Sequence, residues 1–121
     1  AGHSPTTEGL ENLNKVRRRG FGVDINTPNA SVDLPSMSYD KFMDAVLQER
    51  SFELCFEGHR WFDLVRFGKL EEAVKSLSKY KETLEHTQQA ANFKAKHVVL
   101  PVPQDVVNSS NGKITQNPLW K

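Results

Sequence analysis

Between Glu49 and Arg66 the chain reads ERSFELCFEGHRWFDLVR, a dense run of carboxylates, guanidiniums and aromatic rings. Glu49, Glu53 and Glu57 follow one another at i, i+4 and so share one face of a helix. Two such carboxylates are the pair a glycosidase uses as acid and base. A general acid needs its pKa raised, whereas the flanking Arg50 and Arg60 favour the ionised form. Arg50 lies three residues before Glu53, Arg60 three after Glu57 and Asp63 three before Arg66, so each guanidinium has a carboxylate about one helical turn away. The pattern is that of an ion-pair ladder held between packed helices rather than of a catalytic centre. No catalytic residue is assigned and no enzyme activity is expected; Arg60→Ala is expected to cost about 3–5 kcal/mol if its partner is fully buried.

A metal site on a helix would use Glu-x-x-His, but His59 follows Glu57 by two residues and Glu53 by six. Neither a metal nor another cofactor is expected. Cys55 sits in the helical pattern between Leu54 and Phe56 with no activating base proposed beside it, so a small buried thiol is the expectation. Trp61 and Phe62, adjacent on a helix, must point in two directions, and one of them is expected outward as a packing or binding face. The cluster KVRRRG at Lys15–Gly20 suits a solvated or ion-paired helix C-terminus. With a net charge of +1 and no aromatic-interleaved basic surface, the chain gives no reason to expect nucleic acid.

The elements that position these residues follow from periodicity and its interruptions. With 121 residues and 37% hydrophobic side chains, the sequence fits one modest globular unit. Leu10, Leu13 and Val16 recur at helical spacing until Gly20 and Gly22, which predicts a helix over about 8–19. Residues 21–35 carry turn chemistry, Gly, Asn, Asp and Pro, and read as a loop long enough to wrap over a neighbour. Ser36 or Ser38 can cap a second helix, expected over about 38–67 in one piece and closed by Gly68. Leu70, Ala73, Val74, Leu77 and Leu84 predict a third over about 70–84. From 97 to 121 the prolines and short apolar run imply a docked, extended strap with one helical turn near Gln104–Asn108. No segment has the roughly 20 apolar residues of a membrane span, and the first ten residues lack the pattern of a signal peptide.

In order, LNKVRRRGFG, ERSFELCFEGHRWFDLVRFGKL and LPVPQDVVNSSNGKITQNPLWK resemble the C-terminal part of the SusD/RagB family of outer-membrane-anchored glycan-binding lipoproteins. The middle segment is similar to the family's E-R-x-x-E-L-x-F-E-G-x-R-W-F-D-L-x-R pattern at Glu49, Arg50, Glu53, Leu54, Phe56, Glu57, Gly58, Arg60, Trp61, Phe62, Asp63, Leu64 and Arg66. The last is similar to its P-I-P-Q and Q-N-P-x-W endings at Pro101, Pro103, Gln104, Gln116, Asn117, Pro118 and Trp120, with Val102 where isoleucine is usual. The resemblance implies a mainly α fold of tetratricopeptide-like helix pairs. It implies a cell-surface protein that captures oligosaccharides and passes them to a SusC-type TonB-dependent transporter. It also implies a longer protein tethered to the outer membrane by an N-terminal lipid that lies outside this sequence. Glu49, Arg50, Glu53, Glu57, Arg60, Trp61, Asp63 and Arg66 would then be a scaffold signature, and no residue here is assigned to the glycan. The alternative is a free-standing helical module that binds a protein partner through an exposed helix face.

Overall fold

The computed structural model describes residues 4–79 and 84–121. Among these every regular element is helical, the mainly α class expected from the periodicity. The chain separates into two compact units, Ala1–Asp63 and Leu64–Lys121, where a single unit was expected.

The first unit opens with α1, Thr7–Gly20. Thr6 precedes it in an extended conformation, and its Oγ1 accepts from the Gly9 amide at 3.0 Å, satisfying one of the free donors of the first turn. Glu8 lies at the positive end of the helix dipole and Arg17, Arg18 and Arg19 at the negative end. The helix closes in a Schellman arrangement, with the Gly22 amide on the Arg19 carbonyl and the Val23 amide on that of Arg18. Gly22 supplies the required φ of 69°.

α2, Tyr39–Glu53, starts after Ser38, whose carbonyl accepts from Phe42 while its side chain makes no capping bond. Gly9 faces the Phe42 ring, Arg17 meets Glu49 and Arg19 meets Glu53. The register therefore advances in the same direction on both helices: α1 and α2 are parallel. A parallel pair needs a connection that returns along its whole length, and residues 21–38 supply it. That return strap is the wrapping loop the sequence suggested.

The second helix does not run to 67. It stops at Glu53, a turn occupies residues 54–59, and α3 spans Arg60–Arg66. Phe56 and Gly58 both take positive φ, 65° and 77°, which no continuous helix permits. Asp63 folds back onto Arg50, a pairing that a straight helix would hold about 20 Å apart at 1.5 Å rise per residue.

In the second unit Gly68, φ 66°, ends α3 with its amide on Val65 and the Lys69 amide on Leu64, again a Schellman closure. α4 covers Leu70–Ser76 and tightens into a 3₁₀ turn at Leu77–Lys79. Residues 80–83 of the third helix expected over about 70–84 lie outside the described residues. α5, Leu84–Asn92, packs on α4 and is followed by a 3₁₀ turn at Ala95–Val98. Leu64 and Leu70 are buried here, as Leu13 and Leu47 are in the first unit.

Beyond Val99 the chain is extended, then forms α6, Gln104–Ser109, close to the single helical turn expected. Its docking has a specific agent. The Gln116 side chain accepts from the Val102 amide and donates to the Val102 carbonyl, both at 2.8 Å, and its Oε1 also accepts from the Asn117 amide. Trp120 then donates through Nε1 to the Val99 carbonyl at 3.0 Å, with the Lys96 ammonium 4.2 Å over its ring.

Candidate functional site

The charged residues singled out above converge on α1, α2 and the turn after α2. Glu49, 8% exposed, is held by Arg17 at 2.9 Å, and Glu53 is paired with Arg19. Both partners come from the cluster expected to be a solvated or ion-paired helix end. Arg50 grips Asp63 with two bonds, Nε to Oδ2 at 2.9 Å and Nη2 to Oδ1 at 3.0 Å, and Asp63 is 3% exposed. This bidentate contact holds the guanidinium in its charged form. Arg60 donates to the Leu47 carbonyl at 2.9 Å, adding a second bond to that turn of α2. Glu57 lies exposed in the 54–59 turn, and Arg66 lies exposed in the last turn of α3. The guanidiniums of Arg17, Arg19 and Arg50 thus bridge between elements rather than along one helix.

Trp61 and Phe62 are both outward, 41% and 65% exposed, where one was expected to be. Cys55 is exposed, not buried, because the chain leaves the helix immediately before it. Glu53 and Glu57 do not form the facing pair of a glycosidase: the first is engaged by Arg19 at the end of α2 and the second lies in the turn beyond. Among the described residues no three His, Cys, Asp or Glu side chains gather to hold a metal ion.

A second centre had no signal in the run from Glu49 to Arg66. Arg18 is wholly buried, 0% exposed, and makes five hydrogen bonds to three groups. Its Nη1 donates to Glu11 Oε1 at 2.8 Å and to the Ile25 carbonyl at 2.9 Å; its Nε donates to Asp33 Oδ1 at 2.7 Å, and its Nη2 reaches both Asp33 and Glu11. The Arg18 hydrogen bonds hold the carboxyls of Asp33 and Glu11 below their ordinary pKa values and push the guanidinium's own up. Asn14 and Arg17 extend the same seam. Asn14 donates to the Leu34 carbonyl at 3.2 Å and accepts from the Leu34 amide at 2.8 Å, while Arg17 donates to the Val32 carbonyl at 3.1 Å. The side chains of α1 act towards the strap as a neighbouring strand would, giving it ladder partners it otherwise lacks.

On the other side of α1, roughly half a turn of the helical wheel away, lies an open groove of about 410 Å³ lined by Gly9, Leu13, Val16, Phe42, Val46 and Leu54 among others. Its charged rim is made of Arg19, Glu49, Arg50 and Glu53, all already engaged in ion pairs. No buried side-chain nitrogen or oxygen among the described residues is left without a partner. The ion pairs and backbone bonds of this region join α1, α2, the strap and the turn after α2.

The SusD family matches residues 2–120. The chain is 34% identical over 91 residues to "SusD-like protein P25" of Formosa agariphila, covering 75% of this chain and 15% of that protein. It is 34% identical over 68 residues to "SusD-like protein P38" of the same organism, covering 56% of this chain and 14% of that protein. A crystallised SusD homolog from Bacteroides thetaiotaomicron superposes with a TM-score of 0.77 at 34% identity, over 96% of this chain and 23% of that one. The chain spans less than a quarter of the length of each of these relatives. With the match running along nearly all its residues and the helical architecture shared, the chain belongs to the SusD family.

Proposed function

We propose that this chain is the C-terminal part of a longer, cell-surface glycan-binding protein, and that its role there is structural. The observation that carries the reading is the family match over residues 2–120. The whole protein captures oligosaccharides, performs no catalysis on them, and hands them to a SusC-type TonB-dependent transporter in the outer membrane, to which an N-terminal lipid tethers it. Glu49, Arg50, Glu53, Arg60 and Asp63 fix the turn after α2 and the spacing of α1 and α2, and so hold a scaffold on which other segments present the sugar-binding surface. Their engagement in ion pairs and backbone bonds supports this over sugar contact, since a glycan site needs polar groups free to meet hydroxyls. The test is isothermal titration of the longer protein against a polysaccharide panel, together with purification from outer membranes. A bound glycan and a co-purifying SusC-type transporter are expected; neither appearing would sink the proposal.

A further inference from the structure

We infer that Asn111 and Gly112 form a site of spontaneous backbone modification, at which the Gly112 amide attacks the Asn111 side chain and converts the asparagine to aspartate and isoaspartate. Asn111 alone among the asparagines of the sequence is followed by glycine. The pair sits at the tip of the turn after α6. Asn111 at φ 51° and Gly112 at φ 79° are both left-handed, and the Lys113 amide closes the turn on the Ser110 carbonyl at 3.1 Å. That is the tight turn with two positive φ values which selects Asn-Gly. Both residues are exposed, and nothing lies within 4 Å of where a Cβ on Gly112 would stand. Among the described residues neither the Asn111 side chain nor the Gly112 amide has a hydrogen-bond partner, so both reacting groups are free to approach each other. Turning Asn111 towards its neighbour gives up the Lys113 bond, which water replaces at this exposed position.

The reaction needs only water and hydroxide. The Gly112 nitrogen gives its proton to hydroxide and forms a bond to Asn111 Cγ, and the Cγ–Nδ2 bond breaks with ammonia as the leaving group. Water then opens the cyclic imide at one of its two carbonyls. Opening at Cγ restores the ordinary chain with an aspartate side chain, whereas opening at the backbone carbonyl leaves the chain running through Cβ and Cγ as isoaspartate. Either product replaces a neutral amide by a carboxylate, but only the second lengthens the backbone, by one methylene. The longer path moves the Lys113 amide away from Ser110 and the Ile114 amide away from Ser110 Oγ, which it meets at 3.0 Å. Two residues further on stands Gln116, which clamps the Val102 amide and carbonyl, so the change in the turn reaches the docking of the C-terminal strap.

The experiment ages the full-length protein in mildly alkaline buffer and maps its peptides by mass spectrometry with fragmentation that separates aspartate from isoaspartate. Conversion at Asn111 is expected to run at least about tenfold faster than at Asn26, Asn29 or Asn108, each followed by a residue whose Cβ hinders ring closure, and to give both isomers. The Val102 amide is expected to exchange with deuterium at least about threefold faster in the isoaspartyl fraction than in fresh protein. Asn111→Gln should abolish both changes on ageing, and Asn111→Asp, which adds the charge without the methylene, should leave Val102 exchange as in fresh protein. Conversion at Asn111 no faster than at the other three, conversion only after denaturation, or aspartate without isoaspartate would overturn the site. Unchanged Val102 exchange in the isoaspartyl fraction would overturn its link to the strap.

Discussion

Arg18 and Arg19 are neighbours in sequence with opposite fates, which makes them the sharpest comparison at the level of single residues. Arg18 has no exposed surface and ties α1 to the strap through Asp33 and the Ile25 carbonyl while pairing with Glu11 of its own helix; the Arg19 side chain is 66% exposed and pairs with Glu53. Removing Arg18 leaves the Asp33 carboxylate, whose side chain is only 15% exposed, without its guanidinium, so Arg18→Met should lower the thermal midpoint several times further than Arg19→Met, read by circular dichroism. Nothing in KVRRRG distinguishes the two positions, because what selects Arg18 is a strap 15 residues onward. The same centre sets a pH dependence. Asp33 and Glu11 have folded-state pKa values below their unfolded ones, so the stability they contribute is complete above the unfolded values, about 4, and is lost as pH falls through the depressed folded values. Denaturation should therefore ease steadily below about pH 4, and Asp33→Asn should flatten that acid limb. Arg60 moves the other way from its sequence expectation. It is exposed and donates to one carbonyl, so Arg60→Ala should cost about 1 kcal/mol in urea denaturation instead of the 3–5 of a buried pair.

Among elements, α1 was legible because its signals are local: Leu10, Leu13 and Val16 at helical spacing, and glycines after it. The break after α2 was not. Gly58 is a local sign of it, and Phe56 at φ 65°, in the turn that the Arg50–Asp63 pair brackets, takes a conformation its residue type disfavours. The members of the charged site could be named from sequence; their partners could not, since they lie on α1 or past the turn. The tail shows the same division. Prolines made it extended, but the Gln116 clamp on Val102 is a pairing across 14 residues that no periodicity contains. That clamp gives a prediction at this scale. Gln116→Leu should cost about 2 kcal/mol, because the part-buried Val102 amide and carbonyl both lose their partner. Gln104→Leu, which removes an exposed bond to Asn108, should stay within about 0.5 kcal/mol. Equal effects would show that the clamp is not what docks the strap.

For the molecule as a whole, the decisive fact is how little apolar side chain the described residues bury: Leu13 and Leu47 in one unit, Leu64 and Leu70 in the other. Polar seams do much of the remaining work, and such seams orient segments more than they stabilise them, because each hydrogen bond made replaces one to water. Meanwhile Phe52, Phe56, Phe62 and Leu100 stay more than 60% exposed, and the α1–α2 groove is open. A chain of this size with so small a core sits at the low end of the stability of single domains, below about 5 kcal/mol. Expressed alone, the 121-residue polypeptide should therefore melt over a broad range and enhance the fluorescence of 1-anilinonaphthalene-8-sulfonate, since the dye reports accessible apolar surface. In a protein of the relatives' length the same surface should be covered, the dye signal should fall to that of an ordinary folded domain, and the transition should sharpen. A sharp transition without dye binding in the isolated polypeptide would mean that its two small cores suffice by themselves, and that the exposed aromatic residues are a surface kept open for a partner.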